Sequence, residues 1–98
     1  MSELKGFQRT WLRGRAHDLK PLVQVGHSGV TDAVIAAVAE ALLDHELIKV
    51  RLHEPDDKKG MAAELAQRCA AEMCGLVGHT VILYKAHPKK PVIKLPER

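Results

Sequence analysis

Four residues, Gly26-His27-Ser28-Gly29, have the make-up of an anion-binding turn. They follow a short apolar run, Pro21-Leu22-Val23-Gln24-Val25, that reads as a strand. They precede Val30-Thr31-Asp32, which opens an amphipathic helix. A glycine-bracketed turn between strand and helix exposes backbone N–H groups beside the positive end of a helix dipole, which suits a phosphate. GXXG loops in KH modules clamp the backbone of about four nucleotides in this way. Plain turn chemistry is the competing reading, with glycine supplying a positive φ. Ser28 either donates its hydroxyl to a phosphate or caps the helix.

The other reactive side chains form no recognised constellation. Cys69 and Cys74 are the only cysteines; they are too few for a disulfide framework or a zinc site and read as small hydrophobes. The histidines at 17, 27, 45, 53, 79 and 87 are scattered singly, without an HxxxH or HExxH pattern. No metal and no other cofactor is expected. No Ser/His/Asp ordering, Walker loop or carboxylate pair supports catalysis, and Asp56-Asp57 reads as turn and cap. The expectation is a binding protein, not an enzyme.

Charge is more informative by region than in total. The net charge is +3, divided into +3 over residues 1–30, −5 over 31–57 and +5 over 58–98. Such polarisation attracts polyanions more than the total implies. Ninety-eight residues make one domain. The longest charge-free stretch, Met73 to Tyr84, is too short to span a bilayer, and with Glu3, Lys5 and Arg9 near the N-terminus no signal-peptide segment is expected. A cytoplasmic monomer without membrane contact is expected.

These candidates must be carried by a few elements. Residues 4–17 form a helix with Leu4, Phe7 and Trp11 on one face and Lys5, Arg9 and Arg13 as a basic stripe on another. Leu22 to Val25 is the first strand. Thr31 caps a second helix whose stripe is Val34, Ile35, Val38, Ala41 and Leu42. Residues 47–53 alternate, with Ile48, Val50 and Leu52 inward and Lys49, Arg51 and His53 on a basic outer face. Asp57 caps a third helix from about Lys58, bearing Met61, Leu65 and Cys69.

Helical propensity carries this third helix to Cys74 with Gly75 as its cap. The preferred alternative ends it near Ala70 and makes Glu72 to Val77 a strand, because the confident strand Thr80–Tyr84 needs a hairpin partner across Gly78-His79. Residues 86–98 hold three of the five prolines and read as a basic, flexible, extended tail. The order is an N-terminal helix followed by β-α-β-α-β-β. It implies an α/β fold of the α+β two-layer type, a four-stranded mixed sheet with helices packed on it.

Leu12-Arg13, Ala16-His17, Leu19-Lys20-Pro21 and Val25-Gly26-x-x-Gly29-Val30-Thr31 closely resemble the CRM domain (chloroplast RNA splicing and ribosome maturation). His45-Glu46-Leu47-Ile48-Lys49-Val50 and Val77-Gly78-x-Thr80-Val81-x-Leu83-Tyr84 continue the match in order, over roughly residues 4–85. A single short copy is similar to the bacterial stand-alone, YhbY-like branch. The resemblance implies a fold like the C-terminal domain of translation initiation factor three. It also implies a single RNA-binding domain over residues 1–85, and a factor that joins precursors of the large ribosomal subunit. Many relatives carry Lys, Asn or Ser within the loop and end the last strand in Tyr-Arg. Here the loop holds His27 and the strand ends Tyr84-Lys85. Histidine carries little charge at neutral pH, so loop amides would supply geometry and neighbouring cations the charge.

The RNA-contacting residues expected on this basis are Gly26, His27, Ser28 and Gly29, with Arg9, Arg13, Lys20, Lys49, Arg51 and Lys85 around them. Lys89, Lys90 and Lys94 would add attraction through the tail. Trp11 and Tyr84 read as core rather than as base-stacking platforms. The rival reading is a protein-interaction adaptor whose basic patches meet an acidic protein.

Overall fold

The computed structural model describes residues 4–97. Its elements are α1 (Gly6–Ala16), β1 (Val23–Val25), α2 (Asp32–His45), β2 (Leu47–Leu52), α3 (Lys58–Arg68), β3 (Glu72–Val77) and β4 (Thr80–Tyr84). The strands form one mixed sheet in the order β1-β2-β4-β3, with β1 parallel to β2 and the other pairings antiparallel. The expected α/β class and four-stranded sheet are therefore present. No helix among the described residues is long and apolar enough to cross a membrane.

Topology decides where the helices go. The β1-α2-β2 and β2-α3-β3 crossovers progress in the same direction across the sheet, and crossovers of one hand then put both helices on one face. Val38 and Leu42 of α2 and Ala62, Leu65 and Ala66 of α3 share a core with Val23, Val25, Ile48, Val50, Leu52, Val81 and Leu83. The caps expected from sequence hold these helices. Thr31 Oγ1 accepts from the Val34 N–H at 3.2 Å, and Asp57 Oδ1 accepts from the Gly60 N–H at 3.0 Å. α3 ends at Arg68, the chain turns through Ala70 at φ +52°, and β3 follows. The hairpin requirement thus outweighs helical propensity at Cys74.

The opposite face carries α1, an arrangement the residue pattern did not specify. Leu12 and Ala16 of α1 are fully buried against Leu47, Cys74, Ile82 and Tyr84. The stripe read from the sequence, Leu4, Phe7 and Trp11, is only half-buried. The i, i+4 pair one position further round makes the main contact. Trp11 lies at the edge of this second core, with the Arg15 guanidinium 5.0 Å from the ring centroid. Cys69 and Cys74 are buried and unpaired, one in each core. Burial raises both thiol pKa values, that of Cys74 to about 11 despite opposing pull from Arg9 and Arg13.

Residues 86–97 contain no helix or strand, and a single buried carboxylate ties them to the domain. Glu46 caps the C-terminus of α2 at φ +61°, its N–H donating to Leu42 O at 2.8 Å. Its side chain accepts from the N–H groups of His87 at 2.7 Å, Val92 at 2.9 Å and Ile93 at 2.8 Å. Its own carbonyl accepts from the Lys85 N–H at 2.8 Å. Ile93 and Leu95 then pack against the α1 core, and Gln8 Nε2 donates to Pro96 O at 3.2 Å. Burial pushes the Glu46 pKa up, but the three backbone donors and His87 outweigh it, and the net shift is downward.

A carboxylate whose folded pKa lies below its ordinary 4.5 stabilises the fold fully above that value and loses its effect as pH falls through the folded pKa. Glu46→Gln turns one acceptor oxygen into a donor facing backbone N–H groups. It should lower stability by about 1–3 kcal/mol at neutral pH. In denaturant melts, the gap to the unsubstituted chain should narrow as pH drops below the ordinary carboxylate range. A gap independent of pH would mean that the charge on Glu46 contributes nothing.

Candidate nucleic-acid interface

Strand β1 ends where Val25 pairs with Leu52, and the chain leaves the sheet into Gly26–Gly29. The Gly29 N–H donates to Gly26 O at 3.0 Å and closes a turn; the Thr31 N–H then donates to Gly29 O at 3.0 Å. Only Gly29, at φ +75°, stands in the region that favours glycine. Gly26 has no such demand, and the space around its missing Cβ is open. His27 and Ser28 project as exposed residues between them. Because the turn itself uses the Gly29 N–H, the loop offers the N–H groups of His27, Ser28 and Val30, which have no partner among the described residues.

The helix terminus behind the loop is less positive than its dipole suggests. Asp32 sits in the first turn of α2, and Arg68 Nη2 meets Asp32 Oδ1 at 2.8 Å while its Nη1 donates to Val30 O at 2.9 Å. The Arg68–Asp32 pair is exposed and worth little energy. Its geometric effect is to tie the end of α3 to the exit of the loop. Sequence reasoning missed Arg68, whose partners lie 36 and 38 residues away.

A groove of about 350 Å³ opens on the α1 face, lined by Arg13, His17, Pro21, Lys49, Arg51, Val77, Thr80 and Ile82. The pleat explains the lining. Register places Arg51 beside Thr80, and Thr80 beside Val77; one row down, Lys49 pairs with Ile82, and Ile82 with Gly75. These side chains point away from the α2/α3 core; Ile82 is buried under α1, which ends at Ala16 without burying Lys49, Arg51 or Thr80. Lys49 Nζ donates to His17 O at 3.0 Å, at the negative end of the α1 dipole, which favours a cation there. The Arg13 stem lies across Gly75, where an added Cβ would come within 2.6 Å of Arg13 Cδ. Among the described residues, no carboxylate lines the groove.

Arg13, Lys49 and Arg51 are thus brought together, at the sheet end from which the GXXG loop departs. Lys20 is exposed directly before Pro21 on the groove wall. Arg9 and Lys85 lie at the other end of the sheet. Arg9 is engaged with Glu72 at 2.9 Å, and Lys85 Nζ donates to Cys69 O at 3.2 Å. Two histidines join the surface: His17, which the sequence did not single out, and His53, read there on the basic outer face but without its meeting with His27. His17 lines the groove, and the His53 ring meets the His27 ring edge-on at 5.0 Å.

The description of the CRS1 / YhbY (CRM) domain matches residues 4–85. The chain is 39% identical over 95 residues to Probable RNA-binding protein YqeI of Bacillus subtilis, covering 95% of this chain and 99% of the relative. It is 33% identical over 100 residues to a Haemophilus influenzae protein named RNA-binding protein, covering both chains fully. The solution structure of a hypothetical protein from Staphylococcus aureus superposes with a TM-score of 0.83 at 31% identity, over 96% of this chain and all of that one. A family match over nearly the whole sequence, and a shared fold of the same length, place the chain in one lineage: it belongs to the CRS1/YhbY (CRM) domain family.

Proposed function

We propose that the protein binds RNA through the basic groove and the GXXG loop, that its target is ribosomal RNA, and that it serves in assembly of the large ribosomal subunit. The observation that carries this reading is the meeting of Arg13, Lys49 and Arg51 in a groove that no carboxylate among the described residues lines, beside a loop whose His27, Ser28 and Val30 N–H groups have no partner among those residues. The RNA-binding names of the Bacillus and Haemophilus relatives support the ligand class. Residues 1–85 form the RNA-binding domain on this reading. The protein works as a cytoplasmic monomer, and no catalytic step is involved.

The proposed division of labour follows from the geometry. Loop N–H groups fix the position of a backbone segment, and the groove cations neutralise neighbouring phosphates and release their counterions. With Lys20 included, about four phosphates are neutralised, so log affinity should fall with log salt at a slope of about −3 to −4. Arg51→Ala or Lys49→Ala should reduce that slope by about one unit. Lys85→Ala and Arg9→Ala should leave it unchanged. Equal losses in all four variants would mean that the groove has no special role.

The loop is tested separately. Gly26→Glu sets a carboxylate beside the free N–H groups without the backbone strain that any side chain would meet at Gly29. RNA affinity should drop at least about tenfold, roughly 1.4 kcal/mol, with an unchanged melting temperature. Undiminished affinity would make the loop purely structural.

The cellular assignment is tested by sedimentation. The protein should travel with large-subunit precursors and be released when accessible RNA is digested. Retention after nuclease treatment would favour an acidic protein partner instead.

A further inference from the structure

We propose that His27, His53 and Glu54 form a binding site for a dication of the zinc class, built onto the GXXG loop. One ligand atom from each residue lies within 4.8 Å of those of the other two, and all three side chains are exposed. Two imidazole nitrogens on one zinc ion are about 3.4 Å apart, given bonds of about 2.1 Å and tetrahedral angles. Closure from 4.8 Å therefore needs at most about 1.4 Å of approach, which rotation of exposed side chains supplies.

The backbone beneath the three residues is already in place. The His53 N–H donates to Val25 O at 2.9 Å, fixing it to the strand that feeds the loop, and the Leu52 N–H donates to His79 O at 2.7 Å. On the other side the Gly29-to-Gly26 hydrogen bond sets the turn that carries His27. The two rings already touch edge-on. His27 and His53 are 26 positions apart in the chain, so no ligand-spacing motif announces them.

The donor set selects the ion. Two imidazoles and one carboxylate suit zinc, nickel, cobalt or copper, whereas magnesium and calcium prefer oxygen ligands. Three protein ligands leave a coordination position open for water or an incoming phosphate oxygen. With the ion bound, a loop that has no lysine or arginine gains a local positive charge. That last step rests on the RNA reading above; metal binding itself does not.

The test uses the untagged 98-residue chain without RNA, titrated with zinc chloride and with nickel chloride by calorimetry. A single high-affinity site is expected. His27→Ala and His53→Ala should each weaken it by more than about tenfold, since losing even an outer-sphere partner typically costs 10–100-fold. Glu54→Gln should weaken it less. His17→Ala should leave it intact, as it removes an exposed histidine outside the cluster. Circular dichroism verifies that each variant is folded. Cobalt provides a second readout, broadening the His27 and His53 ring resonances ahead of other histidines. Absence of saturable binding, or losses as large in His17→Ala as in His53→Ala, would overturn the assignment. RNA is absent from these measurements, so their failure leaves the RNA reading standing, and failure of the groove variants leaves this site standing.

Discussion

Strand β2 lies between a parallel neighbour, β1, and an antiparallel one, β4, and its two-residue period sorts side chains to opposite faces of the sheet. Ile48, Val50 and Leu52 enter the core under α2 and α3, while Leu47 goes to the α1 side, with Lys49 and Arg51 following it outward. A slip of one residue would bury both cations and expose three large aliphatic side chains. Register, packing on both faces and the arrangement of the basic groove are therefore one constraint. Five residues of β2 are paired with β4, and three with β1.

The groove exists because α1 is shorter than the sheet face it covers. Its buried residues, Leu12 and Ala16, cover Leu47, Cys74, Ile82 and Tyr84 toward one end. Toward the other end Lys49, Arg51 and Thr80 stay unburied, with Arg13 of α1 and His17 at its C-cap lining the same groove. The buried half holds the helix in place, and the open half gathers charge. Gly75 links the two halves, since its lack of a side chain lets Arg13 lie flat across β3.

Local signals were legible in the sequence because they act within a few residues. The Thr31 and Asp57 caps, the alternation through 47–52 and the turn at Gly29 each depend on neighbours along the chain. Arg9 shows the limit of this reasoning. It shares a helical stripe with Arg13, and a stripe gives direction around the axis without saying which part of the sheet each residue reaches. Glu72, 63 residues later, claims Arg9, whereas Arg13 extends over Gly75 into the groove. Nothing local to Glu46 announces its burial, because residues 87–93 return from the far end of the chain to surround it at 3% exposure. The meeting of His27 with His53 was hidden for the same reason, since parallel pairing of β1 and β2 aligns two strand ends that are distant in sequence.

Trp11 is the only tryptophan, and it borders the α1 core rather than the α2/α3 core. Its indole emission is therefore a local optical reporter, sensitive to the undocking of one helix and to the departure of the Arg15 cation from its ring. Far-ultraviolet dichroism instead averages over all three helices. If the two signals coincide during unfolding, the two cores melt as one cooperative unit across the shared sheet. If fluorescence moves first, α1 is an independently opening layer, and the roof of the groove comes away before its floor.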